Sequence, residues 1–127
     1  MDHMKDGKVI KFMDGKIQYE LVDPYFEEGL ACALTYGAHV HSPYSWRDVP
    51  PNLFEGALRR HFAQTRQGYH IDPETGLLHL DHLAACNMFL RWNALNIGGV
   101  AEAVRQNLAN KTFIPGNADK IVLGGVE

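Results

Sequence analysis

Residues 71–82 read IDPETGLLHLDH, a turn that runs directly into two histidines, His79 and His82. On a helix, residues three apart share a face, and Cys86 continues that face with Asn87 near its edge. Two imidazoles joined by a carboxylate can hold one divalent metal, and Asp72 or Glu74 from the turn can supply the carboxylate. A neutral imidazole can also take a proton near pH 7. The same residues have a plainer reading, in which the His and Asp side chains of a helix start cap orphan backbone donors or meet water. His61 sits on an apolar helical face. It is either a core histidine with one satisfied hydrogen bond or the partner of the His79–His82 pair across a helix–helix seam. Lys11, Lys16, Arg59 and Arg60 can meet phosphate, the arginines through a planar fork and the lysines as point charges. A solvated basic face is the alternative. The chain has no GxxxxGK[ST] loop, no GxGxxG and no GxSxG elbow, and nothing marks a Ser or Cys nucleophile.

These side chains need elements to position them, and the periodicity predicts four helices. The first spans about 24–36. Asp23 is its N-cap, Pro24 its first residue and Gly37 its stop, with Glu27 and Glu28 in the dipole-favoured first turn. The second covers 52–67, where Phe54, Ala57, Leu58, His61, Phe62 and Thr65 share a face. The third runs over about 78–95 and ends at Gly98-Gly99, and the fourth covers 99–109. Between the first two lies the loop GAHVHSPYSWRDVPPN, which holds three of the six prolines together with Tyr44 and Trp46. Such an aromatic loop either covers a ligand or lids the core. Asp14-Gly15 suggests a hairpin turn within an N-terminal arm. The tail adds a short strand, IVL, at 121–123.

The fold expected is mainly α, a single small helical domain of about four helices with a short N-terminal β-hairpin or extended arm. Its parts are an arm over 1–22, a helical core over 23–110 and a tail over 111–127. The 127 residues are 46% hydrophobic and 21% charged, the balance of a folded chain that can bury a core without disulfides. A net charge of -3 argues against a protein that coats duplex nucleic acid. Two cysteines outside any Cys-x-x-Cys pair read as buried, reduced thiols, which suits a cytoplasmic setting. No apolar run approaches the roughly 18–20 residues of a membrane span. A four-helix chain with an exposed arm is expected to complete its core as a homo-oligomer.

The segments KFMDGKIQYELVDP, LTYGA, ALRRH and DPETGLLHLDHLAACNMFL stand in the order and spacing of a phage and prophage family. The chain resembles the dATP/dGTP diphosphohydrolase N-terminal-domain family over about residues 11–92. The resemblance singles out Asp14, Lys16, Tyr36, Gly37, Trp46, Arg60, His61, Asp72, Glu74, Gly76, His79, His82 and Asn87. It implies a purine deoxynucleoside triphosphate as substrate, cleaved to monophosphate and pyrophosphate in the host cytoplasm. By analogy with all-α MazG-like pyrophosphohydrolases it implies Mg²⁺ or Mn²⁺, although the Glu-rich set of those enzymes is replaced here by His and Asn. Asp72, Glu74, His79 and His82 would hold the metal. His61, Asp72 and His79 would carry the chemistry, and Lys16, Tyr36, Trp46, Arg60 and Asn87 would bind substrate. The chain departs from the family pattern at His39–His41, at Ser45 and at Tyr69, where a Glu is usual. The Tyr69 departure keeps a second function open, a protein that binds and sequesters a nucleotide or cyclic nucleotide without cleaving it, for example to blunt a host defence.

Overall fold

The computed structural model describes residues 17–109 and, before them, two short strands, β1 (Met4–Lys5) and β2 (Lys8–Val9). The strands pair antiparallel, with Met4 opposite Val9 and Lys5 opposite Lys8. The turn expected at Asp14-Gly15, the candidate residues Lys11 and Lys16, and the strand expected at 121–123 lie outside the described residues. The chain divides into two compact units, residues 22–98 and the two ends, 1–21 with 99–127. It is mainly α, as expected, with four helices among the described residues.

Helix α1 (Pro24–Val40) begins where its sequence says it should. The Asp23 carboxylate accepts the Phe26 N–H at 3.1 Å, satisfying one of the donors that a helix start leaves open. Its end differs from the expectation. Gly37 stays helical, and its carbonyl accepts the His41 N–H at 2.9 Å. The break comes instead from Pro43, which excludes helical backbone at the residue before it, and from Tyr44, left-handed at φ 65. A 3-10 turn, Ser45–Asp48, then leads into α2 (Pro51–Arg66), which starts on proline. Beyond α2 stands Gly68 at φ 95, a backbone that favours glycine. Helix α3 (His79–Asn96) is followed by Gly98 and by Gly99 at φ 80. In the other unit α4 (Ala101–Ala109) carries a local network, in which Arg105 and Gln106 both donate to Glu102.

In the 22–98 unit α3 is central, with α2 packed along it and α1 on it. The buried apolar residues described are Ala33, Ala84, Ala85 and Cys86. At Gly29 an added Cβ would fall on the carboxylate of the Asp81 side chain. Cys86 is buried as expected, and burial pushes its thiol pKa up. Cys32 is exposed, contrary to expectation. It lies one position from buried Ala33, and one residue turns a helix by about 100° away from the packed face. No described helix is long and apolar enough to cross a membrane.

Candidate active site

The segment joining α2 to α3 is held by its own backbone. Ile71 bridges Leu78, and the His79 N–H donates to the His70 carbonyl at 2.8 Å. Inside that bridge the Asp72 N–H bonds to Leu77 O at 2.8 Å and the Gly76 N–H to Asp72 O at 2.7 Å. Gly76 sits at φ 77, which a side chain would strain. Asp72 Oδ1 accepts the Glu74 N–H at 2.9 Å, the Asx turn that the Asp-Pro-Glu-Thr-Gly sequence signals. The turn thereby fixes an acid that is only 9% exposed beside His79, 6% exposed. A carboxylate so placed requires partners, because burying an unpaired charge is costly.

The partners are imidazoles. His61, from α2, comes to both histidines of α3, with ring centroids 5.1 Å from His79 and 5.0 Å from His82. Its Nδ1 lies 2.9 Å from His79 Nδ1, so one ring donates and the other accepts. His82 Nε2 stands 3.7 Å from Asp72 Oδ2. The Thr75 hydroxyl oxygen accepts the Leu77 N–H at 3.1 Å and lies 2.7 Å from His82 Nε2, donating or accepting there according to the tautomer of the ring. The Tyr36 ring meets His82 edge-on at 6.4 Å.

One donor atom each from His61, Asp72 and His79 lies within 4.8 Å of the others. Of the metal set expected from the sequence, Asp72 and His79 are in this cluster. His82 adjoins it with Nε2 engaged by Thr75, and Glu74 is exposed, contributing its backbone N–H to the turn. The third member of the cluster is His61, read from the sequence as a candidate base or core residue.

Burial holds the His61 pKa below its ordinary value, reinforced by the charges of His82 and His79 and partly offset by Asp72. Arg60 also acts on His61 and on Cys86. Its Nη1 folds back along α2, 3.3 Å from where a Cβ on Gly56 would stand. Arg60 makes no ion pair with any described residue, so its charge is open to an anion. One turn beyond His61, Thr65 Oγ1 is buried with no hydrogen-bond partner. On the other flank, Cys32, Tyr36 and His39 of α1 and Thr75 and Leu77 of the turn line a groove of about 510 Å³.

Trp46 lies apart from the histidines, stacked on Phe89 of α3. Asn87 is exposed and bonds to no described side chain. The sequence reading did not single out Thr75 or Thr65. A hydroxyl inside the turn that precedes a His pair was the available signal for Thr75. Nothing in the pattern separates Thr65 from an ordinary helix threonine.

A family profile described as dATP/dGTP diphosphohydrolase, N-terminal, matches residues 6–103. The chain is also 34% identical, over 83 residues, to the dATP/dGTP diphosphohydrolase of Salmonella phage PMBT28. That alignment spans 65% of this chain and 29% of the phage protein. No solved structure matches.

Proposed function

Because the chain belongs to the dATP/dGTP diphosphohydrolase N-terminal family, we propose that it is a nucleotide diphosphohydrolase domain acting on purine deoxynucleoside triphosphates. The observation that carries this reading is the meeting of His61, Asp72 and His79 beside an unpaired Arg60. Acid, imidazoles and free guanidinium are the groups needed to cleave and neutralise a phosphoanhydride. Water attacks the α-phosphorus, the bond from that phosphorus to the bridging oxygen breaks, and pyrophosphate leaves with the bridging oxygen.

His61, Asp72 and His79 would hold a divalent cation, and the two nitrogen donors favour Mn²⁺ over Mg²⁺, which prefers an all-oxygen shell. When bound, the ion would polarise the phosphoryl oxygens and acidify water. The proton of the attacking water passes through the Thr75 hydroxyl, which gives its own hydrogen to His82 Nε2 as it takes the water's. The Thr75 hydroxyl donates to Nε2 while the ring is neutral and accepts from it once charged, and Asp72 Oδ2 at 3.7 Å stabilises the imidazolium. Arg60 neutralises charge on the phosphates. Lys16 and Asn87, which the family resemblance singles out, would also bind substrate. The large apolar side chains left exposed, among them Tyr25, Phe26, Leu53 and Phe62, support association with a second copy in the cytoplasm.

The test is pyrophosphate release from dATP and dGTP by the purified chain with Mn²⁺ or Mg²⁺, beside Asp72→Asn. Release by the wild type alone supports the reading. Tight binding in EDTA with nucleotide recovered intact, and no release under any condition, would replace it with sequestration.

A further inference from the structure

The groove between α1 and the 70–79 turn lies outside the cluster of His61, Asp72 and His79 but adjoins it. Glu28, Cys32, Thr35 and His39 recur at helical spacing and form its α1 wall, with Tyr36 beside them. Thr75 and Leu77 of the turn form the opposite wall. Its volume of about 510 Å³ falls within the range of small-molecule sites, roughly 300–1,000 Å³. Two of its residues also touch the cluster. The Thr75 hydroxyl stands 2.7 Å from His82 Nε2, and the Tyr36 ring meets the His82 ring edge-on at 6.4 Å. A ligand held at the histidines has this groove next to it.

Charge and hydrogen bonding decide which end of a ligand suits the groove. No Lys or Arg lines it, and Glu28 brings a carboxylate, so phosphates are turned away and an uncharged group is favoured. Glu28 makes no ion pair or hydrogen bond with a described side chain, and an ionised carboxylate can only accept. Thr35 gives its hydroxyl hydrogen to the Ala31 carbonyl at 2.7 Å, which leaves its oxygen as an acceptor as well. Both call for N–H donors on the ligand. The Tyr36 ring, 37% exposed, offers a face to a planar group.

We propose that this groove seats the base of the nucleotide proposed above, with Tyr36 stacked on a purine and Glu28 accepting from its exocyclic amino group. Adenine and guanine, the bases named in the family description, both carry such an amine, adenine on C6 and guanine on C2. Unsubstituted purine and hypoxanthine lack it. The assignment takes the ligand to be a nucleotide from the proposed function, but its test needs neither phosphates nor turnover.

Cys32 is the reporter. It is exposed and lines the groove, whereas Cys86 is buried with its thiol pKa pushed up, so a thiol reagent reaches Cys32 first. The experiment follows iodoacetamide labelling of Cys32 in the full chain by peptide mass spectrometry. Deoxyadenosine and deoxyguanosine should each protect Cys32, and tripolyphosphate should not. Half-protection should need about tenfold more purine deoxyriboside than deoxyadenosine, and about tenfold more deoxyinosine than deoxyguanosine. Glu28→Ala should erase both ratios. Tyr36→Ala should weaken all four nucleosides, while Tyr36→Phe, which keeps the ring, binds as the wild type does. Circular dichroism confirms that each variant is folded. No protection by any nucleoside, equal protection with and without the amine, or protection by tripolyphosphate alone overturns the proposal. Amine-dependent protection in a chain that releases no pyrophosphate leaves the groove assignment standing and removes the hydrolase reading. Pyrophosphate release with Cys32 labelled at an unchanged rate does the reverse.

Discussion

Helix α3 meets its two neighbours in different ways. Toward α1 it presents the Asp81 carboxylate, which stands where a Cβ on Gly29 would fall, and the His82 ring edge-on to Tyr36. Toward α2 it presents rings, the histidines at one end and Phe89 at the other. The first contact sets the backbone of one glycine against the end of one side chain. The second is ring against ring, with a buried hydroxyl that has no partner among the described residues left over. A seam that stores unsatisfied polar groups is weaker as packing than it could be, and such sites are where function is expected.

The contrast predicts separable phenotypes. The largest effect belongs to Asp72→Asn and His79→Ala, which should each lower pyrophosphate release by about 10²-fold or more. Asn keeps an oxygen for the Glu74 N–H, so its thermal midpoint should stay close to that of wild type. Loss of structure in Asp72→Asn would mean that the polar seam is scaffold. Next comes Gly29→Val, which should destabilise by about 1–3 kcal/mol in urea unfolding through overpacking against Asp81, with turnover per folded molecule retained. Thr75→Val should cost about 1 kcal/mol for the lost hydrogen bonds and lower turnover roughly tenfold, because His82 loses its orienting hydroxyl. The smallest effect is on pH dependence in the metal-free protein. His61 has a lowered pKa when folded, so the unfolded state binds its proton first. Stability should be full above the ordinary value of 6.5 and fall as pH drops below it through the lowered folded value. Urea midpoints above and below that pH, with His61→Asn flattening the trend, provide the check.

What the sequence disclosed was mostly local. Asp23 and Pro24 announced α1, the Asp-Pro-Glu-Thr-Gly run announced its turn, and His79 and His82 share a face as their spacing requires. What it withheld depends on how helices pair. That His61 meets both histidines follows from the register of α2 against α3, which periodicity does not contain. The exposure of Cys32 likewise turns on which side of α1 docks, and several apolar positions there suit either choice. Helix α1 runs past Gly37, which keeps helical backbone with open space around it, and the chain turns only at Pro43.

The turn that holds Asp72 has a consequence for how such a site can travel between proteins. Its hydrogen bonds run from residue 70 to residue 79 and close on themselves. Asp72, Thr75, His79 and His82 therefore form a short contiguous cassette, and His61 is the one ring of the cluster supplied from elsewhere. A helical hairpin with a histidine at the matching height of its first helix could receive residues 70–82 as a graft and inherit the cluster.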